Sequence, residues 1–372
     1  MEKYPGNGFT MARLLWSNAT ARPIRTLLNI LAIALQVFMV LFFVGLTAGI
    51  VSEWAKRVEG VGADILVQPP NASIFLVFSP AVMQESIAAQ ISALKGVDEV
   101  APVLAVMNTN TMDVVYGIDY PRFDALSKGF LFAQGRPFEA PDEAIVDDIK
   151  AQSKNIKLGD KVTLLGREFT VCGIVAHGKG ARFFIPLNTA QEISGAEGRV
   201  SLFYVRSLGD TERTRQAIVR LLPTHRVRSM TEYMTLMSSE NLPQFKPFIR
   251  AIVGIGVVIS FLVVLLSMHT MVMERTREIG ILKSLGASRL DIVRWLVGET
   301  LLLAAIGIVL GMVSTYGLIA VLKETVPTLT VLISQEWILR AILLAVAAAG
   351  AGAMYPAYRA AGFDPVDALS YE

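Results

Sequence analysis

Histidine, cysteine and clustered carboxylates are the side chains that most often bind metals or act as nucleophiles, and this chain holds few of them. His177, His225 and His269 lie too far apart in sequence for a zinc-binding helix or loop. Cys172 is the single cysteine, which excludes an intrachain disulfide framework and a thiolate cluster. Gly178-Lys179-Gly180 is the nearest approach to a phosphate loop, but it lacks the spacing and the Ser/Thr of G-x-x-x-x-G-K-[ST]. Neither G-x-S-x-G nor H-E-x-x-H occurs. Asp142, Glu143, Asp147 and Asp148 form an acidic string without a calcium-loop pattern, so they read as a solvated loop or helix first turn. Ser260, Ser267 and His269 share one apolar run and have the residue types of an intramembrane protease. No intramembrane Asp or Glu is available to orient that histidine. The expectation is a chain with no catalytic site and with no metal or cofactor of its own.

The elements that carry the function are set by hydropathy. Charged residues make up 18% of the chain against about 25% in soluble domains. Lys and Arg number 34 and Asp and Glu 32, so no basic field exists to hold nucleic acid. The apolar residues concentrate in four runs, at 27–51, 251–273, 300–322 and about 337–357, from which spans are drawn at 27–52, 247–273, 291–322 and 336–357. Each meets the roughly 20 residues of helix that a bilayer core of about 30 Å requires. Arg340 interrupts the last run one turn inside its end, where it can snorkel. Trp16, Trp54, Trp295 and Trp337 flank the runs in the pattern of an aromatic belt.

Lys3, Arg13, Arg22 and Arg25 precede the first run, and Arg275, Arg277, Lys283, Arg289 and Arg294 fill the connection from second to third. The connection from third to fourth holds only Lys323 and Arg340. The positive-inside rule then places residues 1–26, 274–290 and 358–372 in the cytoplasm and 53–246 outside. The first run is about twice as long as a signal-peptide core and is expected to stay as an anchor. The chain is expected to be a multi-pass protein of the inner (plasma) membrane.

Residues 53–246 read as a folded α+β domain. Strands are expected at 63–68, 97–106, 112–118, 200–206 and 226–229. Ser79-Pro80 offers a cap for a helix running to Leu94, and Asp210 caps another through Leu222. The order βαβ, strand, βαβ is that of a split-βαβ, ferredoxin-like unit. Residues 121–198 form an insertion, with a hairpin at 161–176, a segment at 182–186 and a short helix from Asn188, and are expected to be a nested second subdomain.

Small-residue pairs mark close helix contacts: Gly45 with Gly49, and Gly307 with Gly311, are both GxxxG, within one subunit or between two. Asn29 and Gln36 share a face of the first run and are expected to hydrogen-bond a neighbouring helix. The most informative stretch follows the second run: Glu274-Arg275-Thr276-Arg277-Glu278-Ile279-Gly280-Ile281-Leu282-Lys283-Ser284-Leu285-Gly286. Ile281, Leu282 and Leu285 have helical spacing, Gly286 suits a helix C-terminus, and Ser288 with Asp291 resembles a capping box. The result is a short amphipathic surface helix, suited to lipid contact or to protein docking.

This sequence resembles the FtsX/MacB-like permeases of ABC transporters. The resemblance rests chiefly on the 273–287 stretch and on Pro356-Ala357-Tyr358-Arg359-Ala360-Ala361 followed by Asp364-Pro365-Val366-Asp367-Ala368-Leu369. Gly62-Ala63-Asp64-Ile65, Gly135-Arg136 and Leu158-Gly159-Asp160-Lys161 carry it into the 53–246 domain. It implies an α-helical membrane protein of four spans plus an extracytoplasmic α+β domain, working as a dimer with a second copy or paralogue. It also implies that Glu274, Arg275, Arg277, Glu278, Ile279, Ile281, Leu282, Lys283, Leu285 and Gly286 form a coupling helix on an ATPase, with Arg275, Arg277 and Lys283 nearer the rim. MacB carries its ATPase ahead of the first span, whereas about 25 residues precede Leu27, too few for a domain. The expected likeness is therefore to stand-alone permeases such as the lipoprotein-releasing and DevC-type subunits. ATP and magnesium then belong to a separate cytoplasmic ATPase. The cargo is a lipoprotein, amphiphile, peptide or drug, with an adaptor or exit-duct protein as a further partner. Two rival readings are a transmembrane switch that activates an outer-surface cell-wall hydrolase, and a sensory or structural protein without an ATPase.

Overall fold

The computed structural model describes residues 23–73, 81–109, 111–237 and 245–363. Lys3, Arg13, Trp16, Arg22, the Ser79-Pro80 cap and the 364–369 motif lie outside the described residues. The chain divides into two compact units: a helical unit of Met1–Ala48, Pro243–Leu322 and Val331–Glu372, and an α+β unit of Gly49–Leu242 with Lys323–Thr330.

Helix α1 (Pro23–Glu59) runs through the first apolar stretch without a break. Its 37 residues span about 55 Å, well beyond a bilayer core of about 30 Å. Its last turns belong to the α+β unit. Trp54 is 7% exposed there, with the Arg57 guanidinium 5.4 Å from its ring. Trp54 is thus a core residue of that unit, a correction to its expected place in an aromatic belt, because the helix does not stop at the end of the apolar run.

The α+β unit continues with β1 (Ile65–Gln68), β2 (Met83–Gln84), α2 (Ile87–Ser92), β3 (Val97–Asn108), β4 (Asp113–Ile118) and α3 (Tyr120–Leu126). Next come β5 (Phe132–Gly135), β6 (Glu143–Asp147), α4 (Asp148–Lys154), β7 (Lys161–Leu164), β8 (Arg167–Val175), β9 (Phe183–Pro186) and α5 (Leu187–Ser194). The unit ends with β10 (Arg199–Val200), β11 (Leu202–Ser207), α6 (Thr211–Leu221), β12 (Arg226–Ser229) and α7 (Met230–Leu236). Four of these helices start on a side-chain cap: Asp119, Asp147, Asp210 and Ser229 each accept a first-turn backbone N–H.

One ten-stranded sheet has the order β12-β1-β11-β3-β4-β9-β6-β8-β5, with β7 paired to β8. β11 lies antiparallel between β1 and β3, the two strands that α2 links, so those two run in the same direction. The inserted residues 121–198 contribute β5 to β9 to this same sheet, joined by the parallel pairing of β4 with β9. Alternate apolar residues such as Val67, Phe203, Val205, Val115 and Ile185 fill one continuous core.

The helix expected from Ser79-Pro80 to Leu94 is corrected. Met83 and Gln84 pair antiparallel with Val200 and Arg199, and the helix starts only at Ile87. The pairing partner lies more than a hundred residues away, so a local cap signal could not reveal it. Val200 is correspondingly drawn out of β11 into β10.

The helical unit holds α1 with α8 (Phe245–Glu274), α9 (Thr276–Ser284), α10 (Arg289–Thr325) and α11 (Gln335–Ala361). Among the described residues four helices are long and apolar enough to cross a membrane: Thr26–Glu59, Lys246–Glu274, Arg289–Thr325 and Gln335–Ala361. They approach through small residues. α11 buries Ala341, Ala345, Ala349, Ala353, Ala357 and Ala360, and a Cβ at Gly352 would meet the Phe261 carbonyl of α8 at 2.9 Å.

Candidate coupling surface

Gly307 and Gly311 let α10 lie directly on α1. A Cβ at Gly307 would stand 2.9 Å from the Ile30 carbonyl oxygen. Gly45 serves a different contact, where Leu332 donates its N–H to the Gly45 carbonyl at 2.9 Å and Val331 packs over the missing Cβ. Gly49 is buried. Gly45, Gly307 and Gly311 thus make contacts within this chain. Gln36 is buried beside Gly256, and neither of its amide atoms has a hydrogen-bond partner among the described residues. Among the described residues Gln36 therefore makes no hydrogen bond to a neighbouring helix, since Gly256 offers no side-chain partner. Ser260 is fully buried and its hydroxyl has no hydrogen-bond partner among the described residues, whereas His269 is exposed.

The stretch after α8 folds as read: a one-residue break at Arg275, then the nine-residue helix α9. Its end is defined by Gly286 at φ +96, with the Gly286 N–H on the Lys283 carbonyl and the Ala287 N–H on the Leu282 carbonyl. That is a Schellman closure, which needs a left-handed residue at that position. Ser288 and Asp291 then cap α10 reciprocally: the Ser288 N–H and hydroxyl donate to Asp291 Oδ2, and the Asp291 N–H donates to Ser288 Oγ.

The faces of α9 differ sharply. Ile279 is fully buried in the helical core together with Val272, Ile292 and Leu296. Ile281 is 46% exposed, Leu282 38% and Leu285 80%. Arg277 and Glu278 are exposed beside them. Glu274 also faces solvent at the end of α8. Arg275 and Lys283, expected at the rim, turn inward instead. Arg275 Nη1 lies 3.2 Å from Glu299 Oε2 of α10, with side chains only 7% and 4% exposed, and its guanidinium sits 5.8 Å from the Trp295 ring. Lys283 Nζ donates to the Ala361 carbonyl at 3.1 Å and to the Phe363 carbonyl, at the C-terminal end of α11.

Glu299 was missed because it adjoins an apolar run rather than a motif. An acid flanking such a run, with an arginine 24 residues upstream at the end of the preceding one, is the signal that could have found it. It is the acid whose absence the sequence reading asserted, and it pairs with Arg275 rather than with a histidine.

In the α+β unit the acidic string is spoken for. Asp142 pairs with Arg167, Glu143 with Arg136 at 2.7 Å, Asp147 with Arg182 at 2.9 Å, and Asp148 with His177 at 3.0 Å. The Arg136 bond holds the Glu143 carboxyl below its usual range, while burial raises that of Asp147. Burial pushes the Cys172 thiol up to about 11, leaving it a poor nucleophile. Among the described residues no group of three or more His, Cys, Asp and Glu is arranged to hold a metal ion.

Two family models match the chain: the MacB-like periplasmic core domain over residues 26–222 and the FtsX-like permease C-terminal region over 250–365. An uncharacterized ABC transporter permease of Bacillus subtilis, YknZ, is 25% identical over 394 residues, covering 97% of this chain and 98% of that protein. The macrolide export ATP-binding/permease protein MacB of Hahella chejuensis is 25% identical and likewise covers 97% of this chain, but the match spans 60% of that longer protein. Among solved structures, the periplasmic region of MacB from Actinobacillus actinomycetemcomitans aligns at 18% identity with a TM-score of 0.38, over 50% of this chain and 96% of that one. The extracellular domain of the YknZ transporter aligns at 18% with a TM-score of 0.34, over 45% and 98%.

Proposed function

From the premise that this chain belongs to the FtsX/MacB-like family of ABC transporter permeases, we propose that it is a permease subunit driven by a separate cytoplasmic ATPase that seats on α9. ATP and its magnesium bind that partner, and two permease chains work together in the inner membrane with both termini in the cytoplasm. The nucleotide favours one arrangement of the assembly over another, and the helical unit passes that preference to the α+β unit, which moves an amphiphilic cargo such as a lipoprotein, peptide or drug. An adaptor or exit-duct protein is the expected partner on the outer side.

One observation carries this reading. Ile281, Leu282 and Leu285 are exposed on a helix whose opposite face is buried and whose two ends are tied down. A rigidly mounted apolar patch is suited to receive a protein surface, because binding energy concentrates in a few buried anchors. The test replaces Leu282 and Leu285 together by alanine. Removing two leucines from an interface forfeits about 1.5–3 kcal/mol each, and alanine preserves the helix. Co-purification of the ATPase and permease-dependent ATP hydrolysis should both fall severalfold while expression persists. A helix seated on lipid would leave both at wild-type level, and that result would end the proposal.

A further inference from the structure

The mounting of α9 is more specific than a helix held by apolar packing. At its start Arg275 reaches Glu299, ten residues into α10, in a contact almost wholly removed from solvent, and the same guanidinium lies against Trp295. At its end Lys283 donates to Ala361 and Phe363, carbonyls at the C-terminal end of α11, where the helix dipole favours a cation. Between these two points Ile279 is fully buried. The outward side chains Ile281, Leu282 and Leu285 take no part in either contact.

A buried ion pair is a poor source of stability compared with apolar groups of the same shape. Its distinguishing property is register: an arginine and a carboxylate taken out of water must remain together, since separating them strands a charge. This ion pair ties α9 to α10, and the partly buried Lys283 ammonium ties it to the carbonyls at the end of α11. If α9 is displaced at its exposed face, either α10 and α11 move with it or buried charges lose their partners.

We infer that Glu299 is a positioning residue which, through Arg275, and together with Lys283 on the end of α11, makes α9, α10 and α11 move as one body, so that force received at Leu282 and Leu285 is delivered to two spans. This inference rests on the reading that α9 seats an ATPase. It adds that docking and transmission are carried by different residues and can be separated.

The experiment uses the full-length permease with its ATPase and the isosteric variant Glu299→Gln. The ATPase should co-purify in wild-type proportion, because the outward face is untouched. The maximal rate of permease-dependent ATP hydrolysis should fall by about fivefold or more, with the KM for ATP unchanged. Exchanging the charges, with Arg275→Glu and Glu299→Arg in one chain, should restore the rate. Hydrogen exchange supplies a readout that needs no ATPase: the α9 amides should exchange about tenfold faster in Glu299→Gln. A wild-type hydrolysis rate in Glu299→Gln, loss of the ATPase from it, or failure of the charge exchange to restore the rate overturns the inference. If no ATPase co-purifies with the wild-type chain, the docking reading fails, and the clamp is then judged by hydrogen exchange alone: unchanged α9 protection refutes it.

Discussion

Gly311 of α10 lies so close to Ala34 of α1 that a Cβ on the glycine would stand 2.6 Å from the Ala34 carbonyl oxygen. No real side chain tolerates that distance, so the two backbones are in direct contact. Helices in lipid gain little from apolar burial against one another and depend on such close approach. Gly311→Val should therefore force α1 and α10 apart, at a cost of about 1–3 kcal/mol or more, and lower the melting temperature of the detergent-solubilised chain by several degrees. Gly317, in the same helix with open space around it, is the control. Gly317→Ala should be neutral or slightly stabilising, since alanine is the better helix former. Equal effects at the two positions would mean that the close contact does not hold the bundle.

Tyr116 and Tyr204 share a hydroxyl hydrogen bond of 3.2 Å with both side chains fully buried. Burial pushes the Tyr116 phenol up to about 12, and that of Tyr204 upward as well. Because the folded value lies above the unfolded one near 10, the contribution is complete below about pH 10 and is lost as pH rises towards 12. The excised segment Gly49–Leu242 contains both tyrosines and the rings packed on them, Phe184 and Phe123, and is the sample of choice. Its denaturation midpoint should fall steeply over that interval, with phenolate absorbance appearing together with unfolding. Phenolate absorbance that rises near pH 10 in a still-folded unit would show these hydroxyls to be accessible.

Orientation is tested with thiols. The native Cys172 is buried and its thiol is pushed up to about 11, so it should stay silent towards maleimides at neutral pH. Lys154→Cys, at the end of α4, should react with a membrane-impermeant maleimide in intact cells. Arg289→Cys, in the exposed turn that opens α10, should react only after permeabilisation. The reverse pattern would put α9 on the wrong side for a cytoplasmic ATPase.

Much of this molecule is written in local patterns. The four long helices follow from apolar runs of membrane-spanning length, α6 from Asp210, the hairpin of β7 and β8 from alternation around Gly166, and α9 from three apolar residues at helical spacing closed by Gly286. Each of these signals lies within a few turns or strand residues of the structure it specifies, because hydrogen bonding and periodicity act at short range along the chain. The pairings that give the candidate site its character are of another kind. Arg275 joins Glu299 across two helices, Lys283 finds carbonyls some eighty residues ahead, and Met83 pairs with Val200 instead of entering a helix. Nothing in the neighbourhood of Arg275 or Lys283 distinguishes an inward cation from a rim cation, and both carry the same charge and the same helical propensity as Arg277. Only packing α9 against α10 and α11 decides which cations lose their water, and a cation that loses its water must find an acceptor there.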